Sequence, residues 1–136
     1  MALGLENAGL HHQLLVEQSK DCVKTLQINR PNWNIAQEDV SNIDFKQYHV
    51  KIDIVSGGFP CQAFSYAGKG KGFEDTRGTL FFDFARCLAE VQPKIAIAEN
   101  VRGLLSHKKG QTLEIILNTF KELGYNPYYE VISSQF

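Results

Sequence analysis

Two side chains of this sequence could carry out covalent chemistry together: the thiol of Cys61 and the carboxylate of Glu99. Cys61 follows the rigid turn 57–60 at the start of a glycine-rich loop, which is not the setting of the small buried thiol that most free cysteines become. A thiolate there could act as a nucleophile. Glu99 closes the apolar run 95–98, where a carboxylate is expected to be partly withdrawn from water and able to donate a proton. A salt-bridged acid is the alternative for Glu99, and the pair alone does not select one reaction.

Two further acids stand just after predicted strands, where ligands bind in open parallel sheets. Glu17 ends a short strand predicted over 11–16, and an acid at that place commonly accepts hydrogen bonds from ribose hydroxyls. Asp39 follows a weaker strand near 34–36 and suits an exocyclic amine. A surface acid and a turn residue are the alternatives for these two positions.

The elements that position these groups alternate between strands and helices, which predicts an α/β fold with a mostly parallel sheet. Ser19 is expected to cap a helix over 20–29, while Gly9 and Gly124 are expected to end two others. Residues 59–77 show no clear period and form a loop of the long kind that often carries function. The other predicted helices cover residues 1–8, 79–91 and 111–123, and the other predicted strands cover residues 50–56, 94–98 and 128–134.

Composition argues against several classes of protein. The chain has 136 residues, 43% of them hydrophobic, which suits one domain with its own core. A net charge of -1 argues against a protein that binds nucleic acid over its whole surface, because such binding needs many basic residues. Its three cysteines, Cys22, Cys61 and Cys87, show no C-x-x-C spacing, which argues against a disulfide framework or a metal site. No signal peptide or membrane span is visible, so we expect a cytoplasmic protein.

Three segments, in this order along the chain, resemble the C5-specific DNA cytosine methyltransferases. They are Gly-Gly-Phe-Pro-Cys-Gln-Ala-Phe-Ser at 57–65, Gly-Phe-Glu-Asp-Thr-Arg-Gly-Thr-Leu-Phe-Phe at 72–82, and Glu-Asn-Val at 99–101. Each tripeptide is a weak signal alone, but the order and spacing of all three are typical of the family, and the resemblance covers almost the whole chain. It implies a Rossmann-like, S-adenosylmethionine-dependent methyltransferase fold and DNA methylation within a restriction-modification system.

The resemblance also implies a reaction on double-stranded DNA. The target cytosine is flipped out of the duplex, as enzymes that modify a base require. The Cys61 thiolate would add to C6 of the ring, while Glu99 would hold the N3 and N4 edge. C5 would then take the methyl group of S-adenosylmethionine, because a thiolate at C6 makes C5 electron-rich. No metal is implied.

Other positions carry over from the family residue by residue. Glu17 matches the acid that holds the cofactor ribose, and Asp39 with Val40 matches the adenine-side contacts. Pro60 and Leu80 would line the cofactor pocket. The implied contacts to the base and the DNA are Phe59 and Pro60, through backbone and ring, together with Gln62, Ser65 and Arg77, while Asn100 would tie the Glu-Asn-Val turn to the catalytic loop.

The sequence also departs from the family pattern at both ends. Residues 1–9 resemble the helix that follows the family's first strand and glycine loop. Without that strand we expect a gap in the sheet, or a new pairing, between the strands ending at Glu17 and Ser56. The family's arginine motif, target recognition domain and last conserved segment would follow Phe136. We therefore expect residues 1–136 to be one partial catalytic domain that does not methylate specific sites alone.

Three other functions stay open. The chain could be a non-catalytic remnant that binds a partner or the cofactor, although a companion chain carrying the missing strand would restore the methyltransferase. A transfer-RNA cytosine methyltransferase is less consistent with the loop 62–65 and the helix start 78–81. A thiol hydrolase needs a histidine base paired with Cys61, and the sequence does not single out one of its four histidines.

Overall fold

Two pairs of parallel strands, each accompanied by helices, organise the chain in the computed structural model, which describes residues 1–60 and 80–133. The strands in these residues are β1 (Leu15–Glu17), β2 (Ile35–Gln37), β3 (Ile54–Gly58) and β4 (Ile95–Glu99). The α-helices are α1 (Ala2–Asn7), α2 (Lys20–Asn29), α3 (Leu80–Val91) and α4 (Gln111–Glu122). Short 3-10 turns cover Val40–Asn42, Lys46–Tyr48, Arg102–Leu105 and His107–Gly110. The predicted α/β class with parallel pairing is confirmed.

The strands form two separate two-stranded sheets. β1 pairs with β2 from Leu15–Ile35 to Glu17–Gln37, and β3 pairs with β4 from Ile54–Ile95 to Gly58–Glu99. Over residues 1–60 and 80–133, no strand ladder joins β1 to β3. Within the described residues this agrees with the expected break between the strand ending at Glu17 and β3, and it leaves backbone donors and acceptors of both pairs without a described strand partner.

The helix limits follow local chemistry. The Ser19 hydroxyl accepts a hydrogen bond from the amide of Cys22 at 3.4 Å, which fixes the start of α2. Both limits of this helix match the predicted ones. α1 ends at Asn7, slightly before Gly9, whose φ of +85° lets the chain turn away from the helix axis. α4 ends at Glu122, one residue before its predicted end, and Gly124 follows with a positive φ.

The main core is aromatic and lies under α3. Phe81 is fully buried at 0% exposure and contacts the rings of Phe59 and Phe120, with centroids 5.0 Å and 5.9 Å away. Phe84 and Leu88 extend the same buried face. Leu80, the first residue of α3, is 46% exposed and lies outside this core.

Two predicted strands differ from the structure. The strand predicted over 50–56 begins only at Ile54, because the amide of Val50 donates to the Val91 carbonyl at 2.8 Å and its φ of +49° makes a turn. The strand predicted over 128–134 is wrong for its described part: residues 128–133 pair with no described strand. Their side chains are exposed, among them Tyr128 and Ile132. A β-branched pattern needs a neighbouring strand to satisfy its backbone groups, and the described residues offer no such strand here.

In the part of the chain that the structure covers, the helices are too short or too polar to cross a membrane.

Candidate functional site

The carboxyl ends of β3 and β4 bring two of the sequence motifs together. Gly58 and Glu99 are paired across the two strands. The strand that leads into Cys61 therefore ends directly beside Glu99. Cys61, Gln62, Ser65 and Arg77 lie outside the described residues, so their placement stays a prediction.

Asn100 joins these two strand ends through its side chain. Its Nδ2 donates to the carbonyl of Phe59 at 2.7 Å, and its Oδ1 accepts from the amide of Val101 at 2.9 Å. The amide group thus fixes the Glu-Asn-Val turn and the backbone two residues before Cys61 in one geometry. Asn100 was predicted to tie this turn to the catalytic loop. The hydrogen bond to Phe59 is the part of that tie that lies within the described residues.

Phe59 and Pro60 play different parts at this edge. The Phe59 ring is 6% exposed and packs on Phe81 and Phe84, with centroid distances of 5.0 Å and 5.7 Å. Its ring therefore belongs to the core, and only its backbone is left at the site. Pro60 is exposed at the surface of the site.

Glu99 is exposed, so the partial withdrawal from water that its strand-end position predicts is not seen. Its place in the strand has a simple cause. β4 is a short apolar run, and the pairing with β3 continues to its last residue, which leaves the first charged side chain at the carboxyl edge.

The carboxyl ends of β1 and β2 bring Glu17 and Asp39 together. Glu17 accepts a hydrogen bond from the amide of Ser19 at 2.8 Å, at the start of α2. Gln18, the next residue after Glu17, donates from Nε2 to Oδ2 of Asp39 at 3.1 Å. The two acids predicted to bind the cofactor thus share one sheet edge.

Asp39 is held as a carboxylate. Its Oδ1 accepts from the hydroxyl of Ser41 at 2.7 Å and from the amide of Ser41 at 2.9 Å. These hydrogen bonds, the hydroxyl first, hold the pKa of Asp39 below its ordinary value. As a carboxylate, Asp39 accepts hydrogen bonds, so it is suited to a ligand that donates them.

Two groups that fasten helices to other segments of the chain were not predicted from the sequence. Glu6 on α1 accepts from Arg30 Nε at 2.9 Å and from Trp33 Nε1 at 2.8 Å, so it fastens α1 to the chain after α2. The bond from Trp33, more than the ion pair with Arg30, lowers the pKa of Glu6. Arg86 on α3 donates to backbone carbonyls at Val40 and Ile43. The sequence gives no local sign of these particular contacts, because each of them joins residues that are 24 or more positions apart.

The other thiols lie apart from these edges. Cys22 is exposed on α2, whereas Cys87 is buried on α3. Burial raises the pKa of the Cys87 thiol to about 12. Among the described residues, no group of three or more His, Cys, Asp or Glu side chains could hold a metal ion.

Comparison with known proteins agrees with this geometry. A family profile described as C-5 cytosine-specific DNA methylase matches residues 1–136. The chain is 60% identical over 125 residues to the Type II methyltransferase M.Eco47II of Escherichia coli, a match that covers 92% of this chain and 30% of that protein. It is 49% identical over 138 residues to the Type II methyltransferase M.Sau96I of Staphylococcus aureus, covering 98% of this chain and 32% of that protein.

A solved structure shows the same fold. A DNA modification methyltransferase encoded within an Escherichia coli prophage matches with a TM-score of 0.66 at 28% identity, over 89% of this chain and 34% of that one. The predicted Rossmann-like methyltransferase fold is confirmed by this likeness. The chain spans about 30% of the length of the first curated relatives that it matches. On the match of its full length and on these relatives, the chain belongs to the C-5 cytosine-specific DNA methylase family.

Proposed function

We propose that the protein carrying this chain is a DNA (cytosine-5)-methyltransferase acting on a cytosine flipped out of double-stranded DNA. One observation carries the proposal: the pairing of Gly58 with Glu99, fixed by the hydrogen bond from Asn100 to Phe59. This pairing places the backbone that leads into Cys61 next to the Glu99 carboxylate. The reaction needs both groups: a thiolate to add to the cytosine ring and a carboxyl group to support the far edge of that ring. The Type II methyltransferases among its relatives favour a role in restriction-modification, with cytoplasmic DNA as the substrate.

Cys61 and Glu99 divide the reaction between them. The Cys61 thiolate adds to C6 of the cytosine, and the new C–S bond moves electron density to C5. The Glu99 carboxyl group holds the N3 and N4 edge and stabilises the ring as its charge changes. Once C5 carries the methyl group, loss of its proton to a base lets the C–S bond break and returns the thiolate. Asn100 keeps the two strand ends in register during these steps.

S-adenosylmethionine fits the other edge of the site. When bound, it supplies an electrophilic methyl group. Glu17 would accept hydrogen bonds from its ribose hydroxyls, and Asp39 with Val40 would contact its adenine. The Asp39 carboxylate can accept a hydrogen bond from an amine or hydroxyl of the ligand, which fits this assignment. Pro60 and Leu80 would line the pocket, and both are exposed, as a lining position requires.

The DNA side of the site rests on the loop that follows Cys61. Gln62, Ser65 and Arg77 would contact the duplex, with Arg77 suited to a phosphate. Because the net charge of the chain is -1, further basic surface for DNA would have to come from outside these 136 residues.

Methyl transfer can be tested without knowledge of the recognised sequence. The purified protein that carries this chain, and not residues 1–136 alone, is incubated with S-adenosylmethionine and unmethylated genomic DNA, and 5-methylcytosine is measured by mass spectrometry of the nucleosides. We expect the wild-type protein to form 5-methylcytosine. We expect Cys61→Ser and Glu99→Gln to lose at least about a hundredfold in rate. Cys22→Ser, which changes an exposed thiol on α2, is the matched control and should retain full activity.

A second candidate function, that of one subunit of a split methyltransferase, has one observation in its favour. β1 and β3 are not paired within the described residues, so a parallel strand from elsewhere in the same protein or from a companion chain would complete the sheet. In the latter case the chain would be one subunit of a split enzyme. Methylation by the wild-type protein alone would argue against a companion chain, whereas methylation equal in Cys61→Ser would overturn the proposed mechanism.

A further inference from the structure

Arg86 is a charged residue in an otherwise apolar stretch of α3. Its neighbours Phe84, Ala85, Cys87 and Leu88 are all buried. The guanidinium reaches from the helix to the segment after β2. Nη2 donates to the carbonyl of Val40 at 2.8 Å, and Nη1 donates to the carbonyl of Ile43 at 3.0 Å.

Glu90 and Phe45 complete this contact. Glu90 lies one helical turn after Arg86, and its Oε2 accepts both from Arg86 Nη1 at 3.4 Å and from the amide of Phe45 at 3.2 Å. The guanidinium carbon also lies over the Phe45 ring, 5.1 Å from its centroid. Phe45 is 6% exposed. The pair Arg86 and Glu90 therefore binds carbonyl and amide groups of the same segment, which fixes both its distance from α3 and its orientation.

The segment needs such support because it has little structure of its own. Between β2 and β3 it contains only the short 3-10 turns Val40–Asn42 and Lys46–Tyr48, and turns of this length are weak alone. Asp39 caps the first turn through Ser41. Arg86 also bonds to this turn, through the carbonyl of Val40.

We propose that Arg86 is a positioning residue for cofactor binding: its bonds to the Val40 and Ile43 carbonyls set the Asp39–Val40 edge on which the adenine would rest. The inference rests on the proposed function, because that function assigns the edge to S-adenosylmethionine. In this role Arg86 acts through the Val40 and Ile43 carbonyls and not by touching the cofactor. α3 thereby serves both halves of the site, since its Phe81 and Phe84 pack on Phe59 at the other edge.

A planar guanidinium can donate to two carbonyls and one carboxylate at once, which a lysine ammonium cannot do in the same geometry. Arg86→Lys should therefore keep the positive charge but only part of the positioning of residues 40–45. Arg86→Gln should lose both. Lys94→Gln is the matched control, because Lys94 forms an exposed ion pair with Asp53 before β4, away from the carboxyl edge.

The first measurement is hydrogen exchange of the protein without cofactor, read by mass spectrometry of its peptides. We expect Arg86→Gln to speed exchange about tenfold in residues 40–45, the scale of losing hydrogen bonds to a charged group. Peptides of α4 and β1 should exchange as in the wild-type protein. Unchanged exchange in residues 40–45 would show that Arg86 does not hold the segment. A loss of protection throughout would mean general destabilisation, and the milder Arg86→Lys variant would then have to show the local effect.

The second measurement separates positioning from stability. In methyl-transfer assays, Arg86→Gln should raise the KM for S-adenosylmethionine about tenfold with kcat little changed, since it alters binding rather than chemistry. Arg86→Lys should fall between, and Lys94→Gln should match the wild type. A fall in kcat with an unchanged KM would overturn the proposal. If the wild-type protein neither binds S-adenosylmethionine nor transfers methyl groups, the proposed function fails and the cofactor role fails with it, while the exchange result still decides whether Arg86 orders residues 40–45.

Discussion

The Asn100 side chain donates a hydrogen bond of 2.7 Å to the backbone carbonyl of Phe59, across the paired ends of β4 and β3. Phe59 is buried, so this carbonyl would have little access to water without its partner. The same side chain accepts from the amide of Val101. One amide group thus joins the Glu-Asn-Val turn to the backbone that precedes Cys61.

Replacing Asn100 by alanine should reduce both methyl transfer and stability. Leaving a buried carbonyl unsatisfied costs about 1–3 kcal/mol, and the strand ends would also lose their alignment. We expect Asn100→Ala to lower the free energy of unfolding by that amount in urea titrations. We expect kcat to fall at least about tenfold, since small misplacements of reacting groups are costly.

Asn29→Ala provides the control for Asn100. Asn29 also donates a side-chain hydrogen bond to a carbonyl, that of Thr25 at 2.8 Å, but it is exposed to water on α2. Loss of this hydrogen bond should leave both the free energy of unfolding and kcat nearly unchanged. Equal effects of the two substitutions would contradict a special role for Asn100.

Gly57 on β3 has no room for a side chain. A Cβ atom at this position would lie 2.8 Å and 2.9 Å from ring carbons of the buried Phe84. Gly57→Ala should therefore destabilise the chain by about 1–3 kcal/mol, the usual cost of overpacking a core. Gly4→Ala is the matched test, because Gly4 lies in α1 and a methyl group added there would meet no atom within 4 Å.

The Gly4→Ala change should be neutral or stabilising by up to about 1 kcal/mol, since alanine favours helix over glycine. Thermal unfolding of both variants followed by circular dichroism gives the comparison. A Gly57→Ala variant as stable as Gly4→Ala would show that Phe84 can move aside without cost.

Local sequence patterns were enough to locate most elements and the two edges of the site. Ser19 and Gly124 mark helix limits through capping chemistry that depends only on near neighbours. The apolar run before Glu99 gave a strand that ends at this residue. The carboxyl ends of parallel strands meet at one edge of the sheet. The placement of Glu17 and Asp39 at such an edge therefore followed from the predicted strands that precede them.

The features that local sequence patterns could not predict depend on partners that are distant along the chain. Val50 has the composition of a strand residue, but its amide is bonded to Val91, far along the chain, and the backbone turns there. Residues 128–133 have a strand-like sequence, yet a strand forms only beside another strand. Arg86 binds backbone carbonyls, and any residue type supplies a carbonyl. No spacing of side chains could have revealed its role.

Asp39 gives the chain a specific dependence on acid. Its pKa in the folded state lies below the unfolded value of 3.8, mainly through the Ser41 hydroxyl. A lowered pKa contributes stability that is fully present above the unfolded value and is lost as the pH falls through the lower folded value. We expect urea unfolding measured between about pH 5 and pH 2.5 to show this loss.

Two substitutions identify the contribution of Asp39. Asp39→Asn removes the titrating group, so its stability should fall less steeply over the same pH range. Ser41→Ala keeps the carboxylate but removes its strongest hydrogen bond, so the Asp39 pKa should move up toward its ordinary value in a carbon-13 titration. If the slope of stability against pH is the same in wild type and Asp39→Asn, the folded chain does not lower the Asp39 pKa.

The two described thiols should differ sharply in reactivity. Cys22 is exposed on α2, whereas Cys87 is buried and burial raises its pKa to about 12. The thiolate is the reactive form, so Cys87 should resist alkylation at about pH 8 while Cys22 reacts. The measurement is iodoacetamide labelling of the native protein, with each peptide quantified by mass spectrometry, and unfolding in guanidinium should equalise the two rates. Rapid labelling of Cys87 in the native state would mean that α3 separates from its core on the timescale of labelling, and the positions of Phe81 and Arg86 on that helix would then have to be reconsidered.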